Sequence, residues 1–349
     1  MNPNTPLSPR PLYHLSDVRH RVMTSRQLRE HGVTGSEAGE RCRQGGPWRQ
    51  LLPGVYLLHT GPATSEERLH AALMYTLPRA QVPRQPGPGG PRTPEPAPYG
   101  QAMITGAAAL ALHRFTSVPS LLSLEHIDVL VPRTRRLRST GFVRVVRAHS
   151  LPRPVTLTGL PVAPAARAVA DAVTHLTDAA EVRRLLTEAV RGGHCEASAL
   201  VRELGRARLL NRPQVVEAVD ALLAESRSVA EGRLYDMVRE QALPAPLWNV
   251  ELRLPGGPCL GGVDAFWPDH GVALEIDTRG PRQEGDDPVW SEQSRKREYL
   301  ERLGITVVQV TPRGLRDHEA LEEQAAIVRT ALVASADRGP AAYLVVLPR

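Results

Sequence analysis

Three carboxylates in the last third of the 349-residue chain have the spacing of a metal-binding site. Asp264, Glu275 and Asp277 follow the pattern D-x₁₀-E-x-D, and the last two share one face of a predicted strand because side chains alternate along a strand. Carboxylates that converge repel one another, and Mg²⁺, which prefers oxygen ligands, relieves this repulsion. Such an ion also activates a bound water and stabilises charge on a phosphodiester. We therefore predict Asp264 and Glu275 as Mg²⁺ ligands, the alternative being solvated carboxylates at strand ends.

The elements that would position these carboxylates are a helix and a hairpin of strands. Ser228 and Glu231 have the S-x-x-E spacing of a capping box, which predicts that a helix begins there and runs to about Gln241. Strands are then predicted at Leu247–Leu254, Cys259–Trp267 and Val272–Asp277, with Gly- and Pro-containing turns between them. A helix, a strand and a final helix complete the predicted order. Asp264 and Glu275 would thus lie on neighbouring strands, across one turn.

This predicted order resembles the PD-(D/E)XK nuclease superfamily in the segments GVDAFWPDHGVALEID and SRKREYLERLGITVVQVTPRGL. The similarity is greatest to the branch that contains the very-short-patch-repair (Vsr) endonucleases. The resemblance implies that Asp264 and Glu275 hold metal and that Asp277 takes the place of the catalytic lysine of many relatives. Glu231 would match the helical glutamate that often precedes the strands. The catalytic set implied by the resemblance is Asp264, Glu275, Asp277 and Glu231.

One departure from this superfamily concerns the loop after the E-x-D motif. Relatives commonly have a histidine there, and residues 278–283 contain none. The loop continues with acidic residues up to Asp287, which would repel a phosphate backbone, whereas residues 295–297 on the next helix are all basic. The sequence therefore leaves two alternatives open, an active metal-dependent nuclease and a degenerate domain that binds DNA without cutting it.

Near the N-terminus, two capping boxes predict a pair of short helices. Thr24 with Gln27 would open the first helix, and Thr34 with Glu37 would open the second. Gly32 lies between them, where a left-handed residue ends a helix. Two short helices joined by a tight turn that contains glycine form a helix-turn-helix, although the same pair can serve for packing alone.

A two-stranded wing is predicted after the helix pair, with its turn at Pro53 and Gly54. Arginines outnumber acidic residues at the end of the second helix and in the wing, where phosphates would lie beside a helix in the major groove. Short polar side chains on the same helix would read base edges. The predicted DNA contacts of this region are Ser36, Arg41, Arg43, Gln44 and Arg49.

This region resembles the winged helix of the type IV abortive-infection antitoxins (the AbiEi family) in the run VMTSRQLREHGVTGSEAGERCRQGGPWRQLLPGVYLL. Two motifs carry the resemblance, Q-x-x-x-x-G-V at Gln27–Val33 and W-R-x-x-x-P-G-V-Y at Trp48–Tyr56. A weaker similarity extends into the middle of the chain at Ile104–Ala109 and Pro164–Asp171. The resemblance implies sequence-specific binding of double-stranded DNA, often for autoregulation.

The middle of the chain has a strongly basic segment. No acidic residue occurs between Val129 and Ala170, and the net charge of the whole chain is +6 with a pI of about 9.6. Strands predicted at Ile127–Val131 and Phe142–Val146 flank the basic turn PRTRRLRSTG. We predict that this basic hairpin contacts the DNA backbone through Arg133, Arg135 and Arg136, the alternative being a solvated hairpin.

The sequence predicts an α/β protein with three domains. These are a winged helix-turn-helix at 16–60, a mixed α+β central domain at 61–226 with a Pro/Gly-rich loop at 81–100, and a restriction-endonuclease-like α/β domain at 227–349. Three widely separated cysteines provide neither a disulfide framework nor the spacing of a zinc site. The sequence contains no apolar run as long as a membrane span and no signal-peptide pattern, so we expect a cytoplasmic protein.

Three functions fit these features. The first is a DNA-binding protein of antitoxin or transcriptional-regulator type, whose C-terminal domain contacts DNA without cutting it. The second is a Mg²⁺-dependent DNA endonuclease that the winged helix targets to its site. The third is a module whose main partner is a cognate toxin protein.

Overall fold

The computed structural model describes residues 21–77, 99–277, 288–316, 318–336 and 344–348, which form ten α-helices and three β-sheets. The mixed α/β class expected from the sequence is confirmed at this level. No helix within the described ranges is long and apolar enough to cross a membrane. Most of the predicted Pro/Gly-rich loop at 81–100, and the acidic loop at 278–287, lie outside the described residues.

The chain divides into two compact units. The first comprises Met1–Cys195 and Arg202–Val215, and the second comprises Glu196–Val201 and Val216–Arg349. Helices α7 (Ala197–Arg206) and α8 (Pro213–Glu240) contribute residues to both units.

The first unit begins with two helices and a three-stranded antiparallel sheet. The elements are β1 (Val22–Thr24), α1 (Ser25–Glu30), α2 (Gly35–Arg41), β2 (Arg49–Leu52) and β3 (Val55–Leu57), and the strand order is β1-β3-β2. The two predicted strands and their turn are present, and β1 is an additional strand that pairs with β3. Leu28, Val33, Ala38 and Trp48 are buried between helices and sheet, as the apolar pattern predicts.

The rest of the first unit surrounds a five-stranded sheet of order β6-β5-β4-β8-β7. Its elements are α3 (Ser65–Tyr75), β4 (Met103–Thr105), α4 (Gly106–Leu112), β5 (Ile127–Pro132), β6 (Val143–Ala148), β7 (Val155–Leu157), β8 (Leu160–Val162), α5 (Ala165–Val173) and α6 (Ala179–Arg191). Helix α3 packs against β1, β2 and β3 on one side and against β4 and β5 on another. It therefore joins the N-terminal helix pair to the central sheet.

The predicted basic hairpin is wrong in its topology. Strands β5 and β6 are parallel, with Ile127 opposite Val143 and Pro132 opposite Ala148. A hairpin turn cannot join parallel strands, because the chain must return to the starting end of the first strand. Residues 133–142 therefore form a crossover that runs back along the edge of the sheet. We call this segment the basic crossover.

The second unit contains a five-stranded sheet of order β12-β11-β10-β9-β13. Its elements after α8 are β9 (Leu247–Arg253), β10 (Cys259–Trp267), β11 (Val272–Ile276), α9 (Pro288–Arg302), β12 (Thr306–Val310), α10 (His318–Ala336) and β13 (Val345–Pro348). Strands β9, β10 and β11 form the predicted antiparallel meander, and β12 pairs parallel to β11. Strand β13 was not predicted and pairs with β9.

The predicted start of the C-terminal helix at Ser228 is wrong. Ser228 and Glu231 lie inside α8, which continues from Pro213 to Glu240 without a break. The buried positions Leu222, Ala230 and Leu234 keep an apolar face through the proposed cap. Residues three positions apart also lie on one face of a helix, so the S-x-x-E spacing occurs inside helices as well as at their starts. Packing of the apolar face keeps α8 continuous through Ser228 and Glu231.

The sheet of the second unit is covered on both faces. Residues Val272, Leu274 and Ile276 of β11 belong to one buried cluster, which includes Leu234 of α8 and Leu321 of α10. Ala273, the residue between Val272 and Leu274, belongs to a second cluster that includes Leu300 of α9. The alternation predicted for β11 is therefore confirmed, and helices α8 and α9 lie on opposite faces of the sheet.

Candidate functional site

Both capping boxes of the helix pair are formed. The backbone N–H of Gln27 donates to Thr24 Oγ1 at 3.3 Å, and the N–H of Thr24 donates to Gln27 Oε1 at 2.9 Å. In the second helix the reciprocal bonds join Glu37 and Thr34 at 3.2 and 2.8 Å. Gly32, with φ of 81°, adopts the left-handed conformation expected between the helices. The start of each helix is therefore fixed by local bonds.

The predicted DNA contacts of the helix pair lie mostly in solvent. Ser36, Arg43, Gln44 and Arg49 are exposed. The guanidinium of Arg43 has no hydrogen-bond or ion-pair partner in the part of the chain that the structure describes. Arg49 donates to the backbone oxygen of Gly61 at 3.3 Å. These side chains can reach a ligand without first breaking a buried contact.

Arg41 differs from the other predicted contacts because it is half-buried. Its guanidinium carbon lies 4.6 Å from the centre of the Trp48 ring, which is within the range of a cation–π interaction. The N–H of Trp48 also donates to the Arg41 backbone oxygen at 3.1 Å. Arg41 therefore ties the end of α2 to the start of β2, whereas a predicted phosphate contact requires a guanidinium that is free to reach the ligand.

A buried carboxylate fastens the N-terminal helix pair to α3. Glu67 has no exposed side-chain surface, and it accepts from the Thr64 N–H at 2.8 Å and contacts His59 Nε2 at 3.0 Å. Arg21 Nε lies 3.2 Å from the same carboxylate. Burial alone raises the pKa of Glu67, but the Thr64 bond and the two basic side chains outweigh burial and lower it. Arg21 precedes β1 and His59 follows β3, so one carboxylate holds both ends of the helix-pair segment.

The arginines of the basic crossover divide into two groups. Arg135 donates to the backbone oxygen of Thr76, and Arg147 of β6 donates to the backbone oxygens of Leu137 and Arg135. These side chains fold the crossover onto the end of α3 and the edge of the sheet. The second group, Arg133, Arg136 and Arg138, is exposed, and of these Arg133 contacts His149 Nε2.

Asp264, a predicted catalytic residue and metal ligand, is buried and fully engaged. Its Oδ2 accepts from the backbone N–H of Ile276 at 2.7 Å, and its Oδ1 forms an ion pair with Arg227 of α8. The Nε of the same arginine donates to Glu231 Oε1 at 2.9 Å. Arg227 therefore joins Asp264 to Glu231, two of the four predicted catalytic residues, and its single positive charge is shared between them.

Glu275, the second predicted metal ligand, forms an ion pair with Lys296 of α9. The ammonium of Lys296 also donates to the backbone oxygen of Gly262 at 2.6 Å. A side chain at Gly261 would meet this lysine, since a Cβ there would lie 2.9 Å from Lys296 Cε. Lys296 is the one lysine of the chain, and the sequence did not predict its pairing with Glu275.

The described geometry divides three of the carboxylates between two cations instead of gathering them in one cluster. Asp264 and Glu231 share a cation from α8, whereas Glu275 meets a cation from α9, which covers the opposite face of the sheet. Asp277 continues the β11 ladder, with its N–H donating to the Val310 oxygen at 2.8 Å. Across the ranges that the structure describes, no three His, Cys, Asp or Glu side chains are placed to hold a metal ion. This arrangement does not fit one Mg²⁺ bound by both Asp264 and Glu275, and the predicted metal site receives no support from it.

No protein-family model matches the chain, and no curated protein matches it either.

Proposed function

We propose that the chain is a DNA-binding protein of antitoxin or transcriptional-regulator type. In this proposal α1 and α2 form a helix-turn-helix, and the β2–β3 ribbon is its wing. One observation carries the proposal: a helix pair with two complete capping boxes presents exposed polar and arginine side chains in the first turn of α2, just beyond its end and on the ribbon. A hairpin used only for packing would have no need for exposed arginines there, of which Arg43 has no partner among the described residues.

The residues of this surface would have different roles. Ser36, in the first turn of α2, and Gln44, just beyond its end, are placed to contact base edges in the major groove. Arg43 and Arg49 would contact phosphates on either side of the helix. Arg41 would act mainly as a positioning residue, because its guanidinium lies on Trp48 and holds α2 against the ribbon.

Fluorescence anisotropy with a labelled duplex tests this proposal. The double variant Arg43→Ala/Arg49→Ala should bind more weakly, and the slope of log K against log salt should become shallower by about 1.8, at about 0.9 for each lost phosphate contact. The matched control is Arg183→Ala/Arg184→Ala on α6, which removes the same charge from exposed positions outside this surface. An affinity and slope equal to those of the wild type in the first variant would contradict the assignment of α2 and the wing.

The Mg²⁺-dependent endonuclease is the competing proposal, and the second unit supports it less. Arg227 and Lys296 already neutralise the carboxylates that would hold the ion, so their repulsion no longer calls for a metal. We therefore expect supercoiled plasmid to stay intact with the purified protein and Mg²⁺ or Mn²⁺. Cleavage that the isosteric variant Asp264→Asn abolishes would establish the endonuclease in place of the binding-only domain.

A further inference from the structure

We propose that the basic crossover, residues 133–142, is a second binding surface for the DNA backbone, and that α3 holds it rigidly beside the wing so that both contact one duplex. The proposal rests on the proposed function of α2 and the wing, and it extends that function to a second site. The ligand chemistry is the phosphodiester backbone of double-stranded DNA.

The arginines in and beside this segment have two different roles. The guanidinium groups of Arg135 and Arg147 donate to backbone carbonyls. The hydroxyl of Tyr75 donates to the backbone oxygen of Arg138 at 2.8 Å. These bonds fix the path of the crossover without using the guanidinium groups of Arg136 and Arg138. Both of those groups are exposed and have no hydrogen-bond or ion-pair partner among the described residues.

Helix α3 forms a rigid connection between the crossover and the wing. Helix α3 binds the helix-pair segment at its first turn through Glu67, and it binds the crossover at its last turn through Tyr75 and Thr76. The helix has 11 residues and therefore spans about 16 Å at about 1.5 Å per residue. This length corresponds to about five base pairs of duplex at about 3.4 Å each.

A direct contact also links the two surfaces. Gly141, near the end of the crossover, lies against Leu52 of the wing, because a Cβ at this glycine would be 3.4 Å from Leu52 Cδ2. The crossover therefore extends from the last turn of α3 to the wing. Phosphate-binding groups on one rigid support bind a duplex more tightly than separate groups would, since the second contact is intramolecular.

The charge of the surrounding chain favours a long anionic ligand. No acidic residue occurs from Val129 to Ala170, so the strand after the crossover adds no repulsion to a phosphate backbone. The two exposed guanidinium groups of Arg136 and Arg138 are suited to phosphates, which carry no sequence information. An acidic surface of a partner protein is the competing ligand, and the experiment separates the two.

The experiment measures affinity and salt dependence with the full-length chain and two labelled duplexes of about 12 and about 24 base pairs. We expect Arg136→Ala/Arg138→Ala to make the salt slope shallower by about 1.8 on the long duplex, by the same amount for unrelated sequences. The short duplex still spans the roughly five base pairs between the two surfaces, so the variant should make the slope shallower there as well. Arg183→Ala/Arg184→Ala on α6 is the matched control and should leave the slope unchanged.

A second variant distinguishes the loss of a phosphate contact from a change in the position of the crossover. Tyr75→Phe removes the hydroxyl that holds the crossover but no charge, so affinity for the long duplex should fall while the slope changes by less than in the arginine variant. Arg136→Gln/Arg138→Gln repeats the charge loss with longer side chains if the alanine variant folds poorly by circular dichroism.

The outcomes are distinct. If the wild type binds no duplex at any salt concentration, both this proposal and the proposed function are wrong. If Arg43→Ala/Arg49→Ala weakens binding but Arg136→Ala/Arg138→Ala leaves affinity and slope unchanged on the long duplex, the second contact is refuted while the helix-turn-helix stands. The surface would then be available to an acidic protein partner instead.

Discussion

Replacement of Glu67 by glutamine tests the buried cluster that fastens the helix pair to α3. The carboxylate is fully buried, with the Thr64 N–H at 2.8 Å, His59 Nε2 at 3.0 Å and Arg21 Nε at 3.2 Å. Removal of one partner from a buried ion pair costs about 3–5 kcal/mol. The side chains of Arg21 and His59 are 25% and 30% exposed, so water can compensate part of the loss. We therefore expect Glu67→Gln to lower the free energy of unfolding by about 2–3 kcal/mol.

The assay for this variant is thermal unfolding at neutral pH, followed by circular dichroism. For a unit of this size about 2–4 °C of Tm corresponds to 1 kcal/mol, so Tm should fall by about 4–12 °C. Glu66→Gln is the matched control, because the neighbouring glutamate is exposed on the same turn and should change Tm very little. A Tm for Glu67→Gln equal to that of Glu66→Gln would refute the structural role of this cluster.

The pH dependence of the same variant follows from the lowered pKa of Glu67. A carboxylate whose pKa is lower in the folded protein stabilises it above the ordinary value of 4.5, and this contribution is lost as the pH falls through the folded pKa. The difference in Tm between wild type and Glu67→Gln should therefore be full at neutral pH and should shrink below pH 4.5. A difference that grows in acid would contradict the sign of the shift.

Two more predictions concern other ion pairs and hydrogen bonds. Arg227→Ala leaves the buried carboxylate of Asp264 without its cation, so we expect a loss of about 3 kcal/mol in urea unfolding and a smaller loss for Arg227→Lys, which keeps the charge. Equal stability of Arg227→Ala and wild type would show that this bridge is dispensable. Burial raises the pKa of Glu188, but bonds from Ser117 and Thr116 outweigh burial and lower it to about 2. Glu188→Gln should therefore cost about 1–2 kcal/mol above pH 4.5, and the cost should vanish as the pH approaches 2; a cost independent of pH would contradict this reasoning.

Local signals in the sequence predicted the parts of the structure that depend on neighbouring residues. The caps at Thr24 and Thr34 join residues three positions apart, and the turn at Gly32 depends on the conformation of one residue. The apolar alternation of β11 likewise appears in five consecutive residues, Val272–Ile276. Distant residues are not required for these features, because the capping hydrogen bonds and the alternating faces of a strand involve residues only a few positions apart.

The same kind of signal was wrong where distant packing acts on the segment. Ser228 and Glu231 have the spacing of a cap, yet α8 continues through them because its apolar face stays buried against the sheet of the second unit. The segments around the basic crossover have the pattern of a hairpin, yet β5 and β6 are parallel. Alternation along each strand is identical in parallel and antiparallel pairs, so the sequence pattern contains no signal for the direction of pairing.

The sequence by itself determined which residue types carry the chemistry, and the tertiary structure decided which of them meet. Arg135 and Arg136 are adjacent in the chain, but one binds the Thr76 oxygen and the other faces solvent. The predicted meander places Asp264 and Glu275 on neighbouring strands, across one turn. In the structure, Arg227 and Lys296 bind them from helices on opposite faces of the sheet. A charged side chain takes its role from the partner that burial places beside it, and that partner lies 21–59 positions away in these three cases. Spacing along the chain cannot specify such a partner, because the packing of helices against sheets brings it there.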